Sequence, residues 1–128
     1  MKATGQGKRI LLIEDYEDFR KTVREHLESQ SESFDIFEAS SGELGIITAL
    51  REKPDIILMD IRLPNMNGID AAERIRKYLP NCKIIALTMF EDEAFREVFK
   101  SGDINAYLGK SELHEKLMPL IRKYLKAS

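Results

Sequence analysis

The chain has 128 residues, of which 43% are hydrophobic and 33% are charged, and its net charge at pH 7 is −2. This composition is typical of one globular domain, and the slight negative charge argues against a surface built mainly to bind nucleic acid. The single cysteine, Cys82, excludes an internal disulfide, and the absence of a long apolar stretch predicts a cytoplasmic protein that does not span a membrane.

Short apolar runs alternate with amphipathic segments along the chain. Residues 1–8 are predicted to be a flexible leader. The predicted strands cover residues 10–13, 34–39, 56–60, 83–87 and 106–108. The predicted helices cover residues 18–30, 42–53, 68–79, 91–101 and 111–126. In the second helix the apolar positions are Leu44, Ile47 and Leu50, and Pro54 follows its end.

The alternation of strands and helices, joined by short loops, predicts an α/β fold with a parallel sheet covered by helices on both faces. The connections between parallel strands are right-handed, and this restricts the strand order to a few possibilities. We therefore expect a flavodoxin-like, doubly wound (βα)5 fold with strand order 2-1-3-4-5. In that order strands 1, 3 and 4 are central, so their carboxyl ends meet at one place.

Polar side chains stand at this carboxyl edge. Asp60 ends the third predicted strand, Glu14 and Asp15 follow the first, Thr88 ends the fourth, and Lys110 ends the fifth. Three neighbouring carboxylates repel one another, and a hard cation such as Mg²⁺ or Mn²⁺ would relieve that repulsion. With a hydroxyl and a lysine beside them, they can hold a metal, a carboxylate nucleophile and the oxygens of a transferring phosphoryl group.

This set of residues resembles the receiver domains of bacterial two-component response regulators, over about residues 9–125. The resemblance implies that Asp60 is the phosphoacceptor, served by a sensor histidine kinase or a histidine phosphotransfer protein. It also implies that Glu14, Asp15, Asp60 and the backbone carbonyl of Arg62 hold Mg²⁺, with Glu14 acting through water.

The same resemblance implies a conformational switch. Thr88 matches the switch hydroxyl of the family, Tyr107 its aromatic switch residue, and Lys110 its lysine. Phosphorylation would then alter the surface formed by the fourth helix, fifth strand and fifth helix. Such a domain is a signalling switch and not an enzyme in its own right, although it assists its own phosphorylation and dephosphorylation.

Two positions depart from the commonest receiver pattern. Glu14 stands where many receivers have aspartate, and Ser111 follows Lys110 where many have proline. The Lys110-Ser111 pair resembles receivers of the LuxR/NarL type, which are fused to helix-turn-helix DNA-binding domains. We therefore expect a receiver over residues 9–126 that is either a single-domain regulator or, as we favour, a domain excised from a longer transcription regulator. In the second case it contacts DNA through an output domain outside this chain. A weak homodimer is compatible with either alternative.

Two other functions remain open at this stage. A Mg²⁺-dependent phosphatase of the haloacid dehalogenase type also uses an aspartyl nucleophile, but places it on strand 1 with a second aspartate two residues later. Here Asp15 is followed by Tyr16 and Glu17. The other alternative is a receiver-like interaction module that is never phosphorylated. Flavin binding is disfavoured, because the acidic loop at residues 14–18 would repel a phosphate.

Several of these residues also have simpler interpretations. Asp60 could cap its loop, and Glu14-Asp15 could begin the first helix, with Asp18 as its N-cap. His26 and His114 are interpreted as surface residues on helices, not as phosphohistidines.

Overall fold

The computed structural model describes residues 7–89 and 102–127, which contain a five-stranded parallel sheet with helices on both faces. The strands are β1 (Lys8–Ile13), β2 (Phe34–Ala39), β3 (Ile56–Asp60), β4 (Lys83–Thr88) and β5 (Ala106–Gly109). The helices are α1 (Glu17–Glu28), α2 (Gly42–Glu52), α3 (Gly68–Tyr78) and the C-terminal helix (Leu113–Ala127). The strand order is β2-β1-β3-β4-β5, and the predicted fold is confirmed.

The central strand β3 is buried along its whole length. Because both of its faces are covered, it reads as a continuous apolar run and does not alternate with polar residues. Ile57 and Met59 belong to the core under α2 and α3, whereas Ile56 and Leu58 belong to the core under α1 and the C-terminal helix. The two cores fix the register of β3 and therefore the position of its last residue, Asp60.

The first two predicted elements begin at different residues from those expected. Lys8, which we assigned to the leader, is the first residue of β1 and pairs with Phe34 of β2. Helix α1 begins at Glu17 with Tyr16 at the N-cap, and no side chain caps it, so the prediction of Asp18 as the cap is wrong. Asp18 lies in the first turn, where a negative charge interacts favourably with the helix dipole.

Helix α2 turns a different face to the sheet from the one its apolar residues suggest. Leu44, Ile47 and Leu50 are exposed. Small residues face the sheet instead, and a Cβ added to Gly45 would stand 2.5 Å from the Cδ1 atom of Ile13. The close approach of helix and sheet therefore favours glycine here, because a Cβ would displace the end of the Ile13 side chain, and it overrides the hydrophobic pattern.

The last described segment differs slightly from its prediction. Strand β5 ends at Gly109, so Lys110 lies one residue beyond it, in a 3-10 turn that also contains Ser111. The C-terminal helix follows and contains Pro119, as predicted. None of the helices within residues 7–89 and 102–127 is long and apolar enough to cross a membrane. The predicted fourth helix, at residues 91–101, lies outside the described residues.

Candidate functional site

Three acidic side chains meet at the carboxyl edge of the sheet, as predicted. Asp60 is the last residue of β3 and is 7% exposed, Glu14 directly follows β1 and is fully buried, and Asp15 is exposed. One carboxylate oxygen from each lies within 4.8 Å of the other two. Oxygen ligands of this kind, open to solvent on the Asp15 side, fit a Mg²⁺ ion.

Lys110 lies between two of these acids. Its Nζ atom is 2.8 Å from Oε1 of Glu14 and 3.2 Å from Oδ2 of Asp60. The same Nζ atom lies 4.6 Å from the centre of the Phe19 ring on α1. The ammonium group is thus held by two carboxylates and an aromatic face, and it balances part of the negative charge at the edge.

The buried charges perturb each other's protonation. Burial is the largest influence on Glu14 and raises its pKa, with a smaller contribution from Asp60, against the opposing effect of Lys110. For Lys110, burial alone would lower the pKa. The hydrogen bond to Glu14 and the charges of both carboxylates outweigh that effect, so the pKa of Lys110 is raised and the side chain stays protonated at neutral pH.

The loop after β3 is fixed by backbone contacts around Asp60. The amide N–H of Arg62 donates to Oδ1 of Asp60 at 2.9 Å, and Arg62 pairs with Asn67 in an isolated antiparallel bridge. The side chain of Asn67 accepts a hydrogen bond from the N–H of Ile69 and so caps α3. A Cβ on Gly68 would stand 2.5 Å from the carbonyl oxygen of Asp60, so the loop packs against the strand end more closely than another residue would allow.

The two proposed switch residues occupy neighbouring strands. Thr88 is the last residue of β4, is buried, and pairs in register with Gly109. Tyr107 on β5 pairs with Ala86 and is 37% exposed. The topology therefore brings Thr88 to the same edge as Asp60 and leaves Tyr107 partly accessible on the neighbouring strand.

Two residues at the site were not predicted from the sequence. One is Phe19, whose ring lies under Lys110. The other is Arg20, whose Nη1 donates to the carbonyl oxygen of Glu14 at 2.7 Å while its Nε bonds Glu38 on β2. The sequence indicated their location only through their short distance from Glu14-Asp15, since the first turn of α1 begins at the same edge of the sheet. The sequence did not indicate which strand they would contact.

A family model for the response regulator receiver domain matches residues 10–122. The chain belongs to this family. The receiver is 34% identical over 116 residues to the response regulator protein VraR of Staphylococcus saprophyticus, a match that covers 90% of this chain and 55% of the relative. The chain thus spans about half the length of the curated relatives it matches.

Solved structures give the same result. A two-component response regulator of the LuxR family from Aurantimonas sp. SI85-9A1 superposes with a TM-score of 0.84 at 27% identity, covering 95% of the receiver and 87% of that chain. A CheY-like receiver domain protein from Methanospirillum hungatei JF-1 superposes with a TM-score of 0.78 at 25% identity, covering 96% and 100% of the two chains. The family predicted from the sequence is confirmed, and the receiver is a component of a two-component system.

Proposed function

We propose that this receiver is a Mg²⁺-dependent phosphorylation switch in which Asp60 accepts a phosphoryl group. The observation that carries the proposal is the position of Asp60, whose carboxylate lies beside Glu14, Asp15 and the ammonium group of Lys110. A carboxylate oxygen of Asp60 attacks the phosphorus of a phosphohistidine. The new O–P bond forms as the P–N bond breaks, and the donor histidine leaves with its nitrogen electron pair.

The other residues at this edge of the sheet hold the metal, supply positive charge and orient Asp60. Asp15, Asp60, the carbonyl of Arg62 and, through water, Glu14 would hold Mg²⁺, which when bound neutralises charge on the phosphoryl oxygens. Lys110 already contacts Asp60 and supplies a positive charge to the same oxygens without a large movement. The N–H of Arg62, 2.9 Å from Oδ1 of Asp60, keeps the nucleophile oriented.

The response to phosphorylation begins at Thr88. Its hydroxyl donates a hydrogen bond to the new phosphoryl group, and Tyr107 moves into the space that Thr88 leaves. The surface of β5, the C-terminal helix and the predicted fourth helix then shifts between two pre-existing states. The donor is a sensor histidine kinase or a histidine phosphotransfer protein in the cytoplasm. The output is transcription control through a DNA-binding domain, by analogy with the LuxR-family neighbour.

The test is labelling with a small phosphodonor such as acetyl phosphate, read by intact-protein mass spectrometry with and without Mg²⁺. We expect one phosphoryl group per chain in wild type and none in Asp60→Asn. Asp55→Asn is the matched control. Asp55 lies immediately before the opposite end of the same strand, where it accepts a hydrogen bond from the N–H of Arg9, and this variant should label normally.

Undiminished labelling of Asp60→Asn at another residue would refute the assignment of the phosphoacceptor. Labelling of wild type that does not depend on Mg²⁺ would refute the metal requirement. Sustained turnover of a phosphate monoester would favour the aspartyl phosphatase alternative.

A further inference from the structure

Two histidines that lie 88 positions apart in the sequence are in contact in the fold. His26 belongs to the last turn of α1, and His114 to the first turn of the C-terminal helix. Their Nδ1 atoms are 3.3 Å apart, their ring centroids are 4.7 Å apart, and the ring planes are inclined at 79°. The contact thus joins two helices on the same face of the sheet, which share one hydrophobic core.

The contact is a long hydrogen bond, and which ring donates depends on the tautomers of the two histidines. Two imidazoles joined by a straight N–H···N bond of this length would place their centroids about 5.5 Å apart, because each bond would point directly away from its own ring. The measured 4.7 Å is shorter, so the two rings are bent towards each other. A bent hydrogen bond of 3.3 Å is longer and weaker than usual, so a metal ion can replace it at small cost.

The separation of the two nitrogens also matches that of two ligands of one metal ion. Two imidazole nitrogens bound to one tetrahedral Zn²⁺ ion at the usual Zn–N distance lie about 3.3 Å apart. His114 is exposed, which leaves its ring free to turn its nitrogen towards an ion.

We propose that His26 and His114 form an interhelical chelating site for a divalent transition-metal ion. Nitrogen donors select Zn²⁺, Ni²⁺ or Cu²⁺ over Mg²⁺, so this site differs in chemistry from the carboxylate cluster around Asp60. The two histidines occupy two of four tetrahedral positions, and water or the same pair from a second copy of the receiver fills the others. Ion binding would link α1 to the C-terminal helix and stabilise the folded state.

The surroundings of His26 determine how tightly the proposed site should bind a metal ion. Its Nε2 atom is buried and has no hydrogen-bond partner within the described ranges. A ligating histidine normally donates its second ring N–H to a carboxylate or carbonyl, and losing that partner weakens metal binding by about 10- to 100-fold. We therefore expect a dissociation constant on the order of micromolar, weaker than that of structural zinc sites.

The test is titration of the full chain with ZnCl₂ in excess MgCl₂, which occupies the carboxylate cluster. Wild type should bind Zn²⁺ and gain thermal stability, and His26→Gln and His114→Gln should each lower the affinity at least about tenfold. Because His114 is exposed, His114→Gln should fold normally, and its circular dichroism spectrum checks this. Asp60→Asn should keep the Zn²⁺ affinity of wild type, because the proposal does not depend on phosphorylation.

Proton NMR of the wild-type imidazole rings provides a second readout that needs no variant. Zn²⁺ should shift or broaden the ring signals of both histidines at substoichiometric amounts. A stoichiometry of one ion per chain supports completion by water, and one ion per two chains, with a dimer in size-exclusion chromatography, supports completion by a second copy. Equal Zn²⁺ affinity in wild type and His114→Gln, or ring signals unaffected by Zn²⁺, would overturn the proposal.

Discussion

Replacing Lys110 by methionine removes a buried positive charge while keeping the length of the side chain. Glu14 would then be fully buried without its cation, and Asp60 would lose its contact with the ammonium group. At an effective dielectric constant of about 20, attractions across 2.8 and 3.2 Å amount to roughly 5–6 kcal/mol each.

Desolvation offsets much of this attraction, since burial is the largest influence on the pKa of both Glu14 and Lys110. The expected net loss is therefore about 3 kcal/mol in the free energy of unfolding, as for other broken buried pairs. In excess MgCl₂ the loss should be smaller, because a divalent cation held by the same carboxylates replaces the missing charge.

Urea denaturation followed by circular dichroism, with and without MgCl₂, measures both effects. Lys116→Met is the matched control, since it removes an ion pair of 2.7 Å to Glu112 that is exposed to solvent. Because this pair is screened by solvent, the control should change stability far less than Lys110→Met does. If Lys110→Met costs no more than the control, or if MgCl₂ stabilises Lys110→Met no more than wild type, the assignment of Lys110 as counter-ion of the acidic cluster is wrong.

Three further predictions concern the scaffold. Gly68→Ala should destabilise the receiver by about 3 kcal/mol in urea denaturation, because the new Cβ meets backbone atoms at 2.5 Å. Gly45→Ala should cost clearly less, because its Cβ meets a side-chain methyl that can move, and equal costs for the two variants would contradict this reasoning. Arg76→Met should lower the free energy of unfolding by about 3 kcal/mol, because the Arg76 guanidinium donates hydrogen bonds to backbone carbonyls in two segments, one just after α3 and one just before β5. A loss below about 0.5 kcal/mol would show that water replaces these bonds. The Arg122 guanidinium holds the pKa of Glu32 at about 2. The urea concentration at the unfolding midpoint should therefore be higher for wild type than for Glu32→Gln above about pH 4.3, and this difference should disappear as the pH falls towards 2. A difference that does not depend on pH would refute the pairing.

The strand order and the location of the site could be predicted because each depends on local patterns. Apolar runs mark the central strands, and parallel strands bring their carboxyl ends to one edge whatever the details of packing. Asp60, Glu14 and Asp15 therefore meet as expected. The position of Lys110 differs by one residue, because β5 ends at Gly109, and this small shift leaves its contacts with the acids intact.

Contacts between helices could not be predicted in the same way. The position of Phe19 under Lys110 and the contact of His26 with His114 depend on how α1 lies against the C-terminal helix, which no local pattern determines. The orientation of α2 could not be predicted for a related reason. Its apolar residues indicate one face, but the close approach to Ile13 favours small residues there, and steric fit decided the outcome.

The depth of Asp60 constrains the shape of the phosphodonor in the proposed reaction. The side chain is only 7% exposed, whereas Tyr16 and Met89, each next in sequence to a residue of the site, are 61% and 63% exposed. Large exposed side chains thus follow two of the strand ends, while the Asp60 carboxylate itself is recessed. A flat surface carrying a phosphate would not reach a carboxylate at this depth. A small free molecule, or a phosphorylated ring extended from a convex protein surface, can reach the carboxylate.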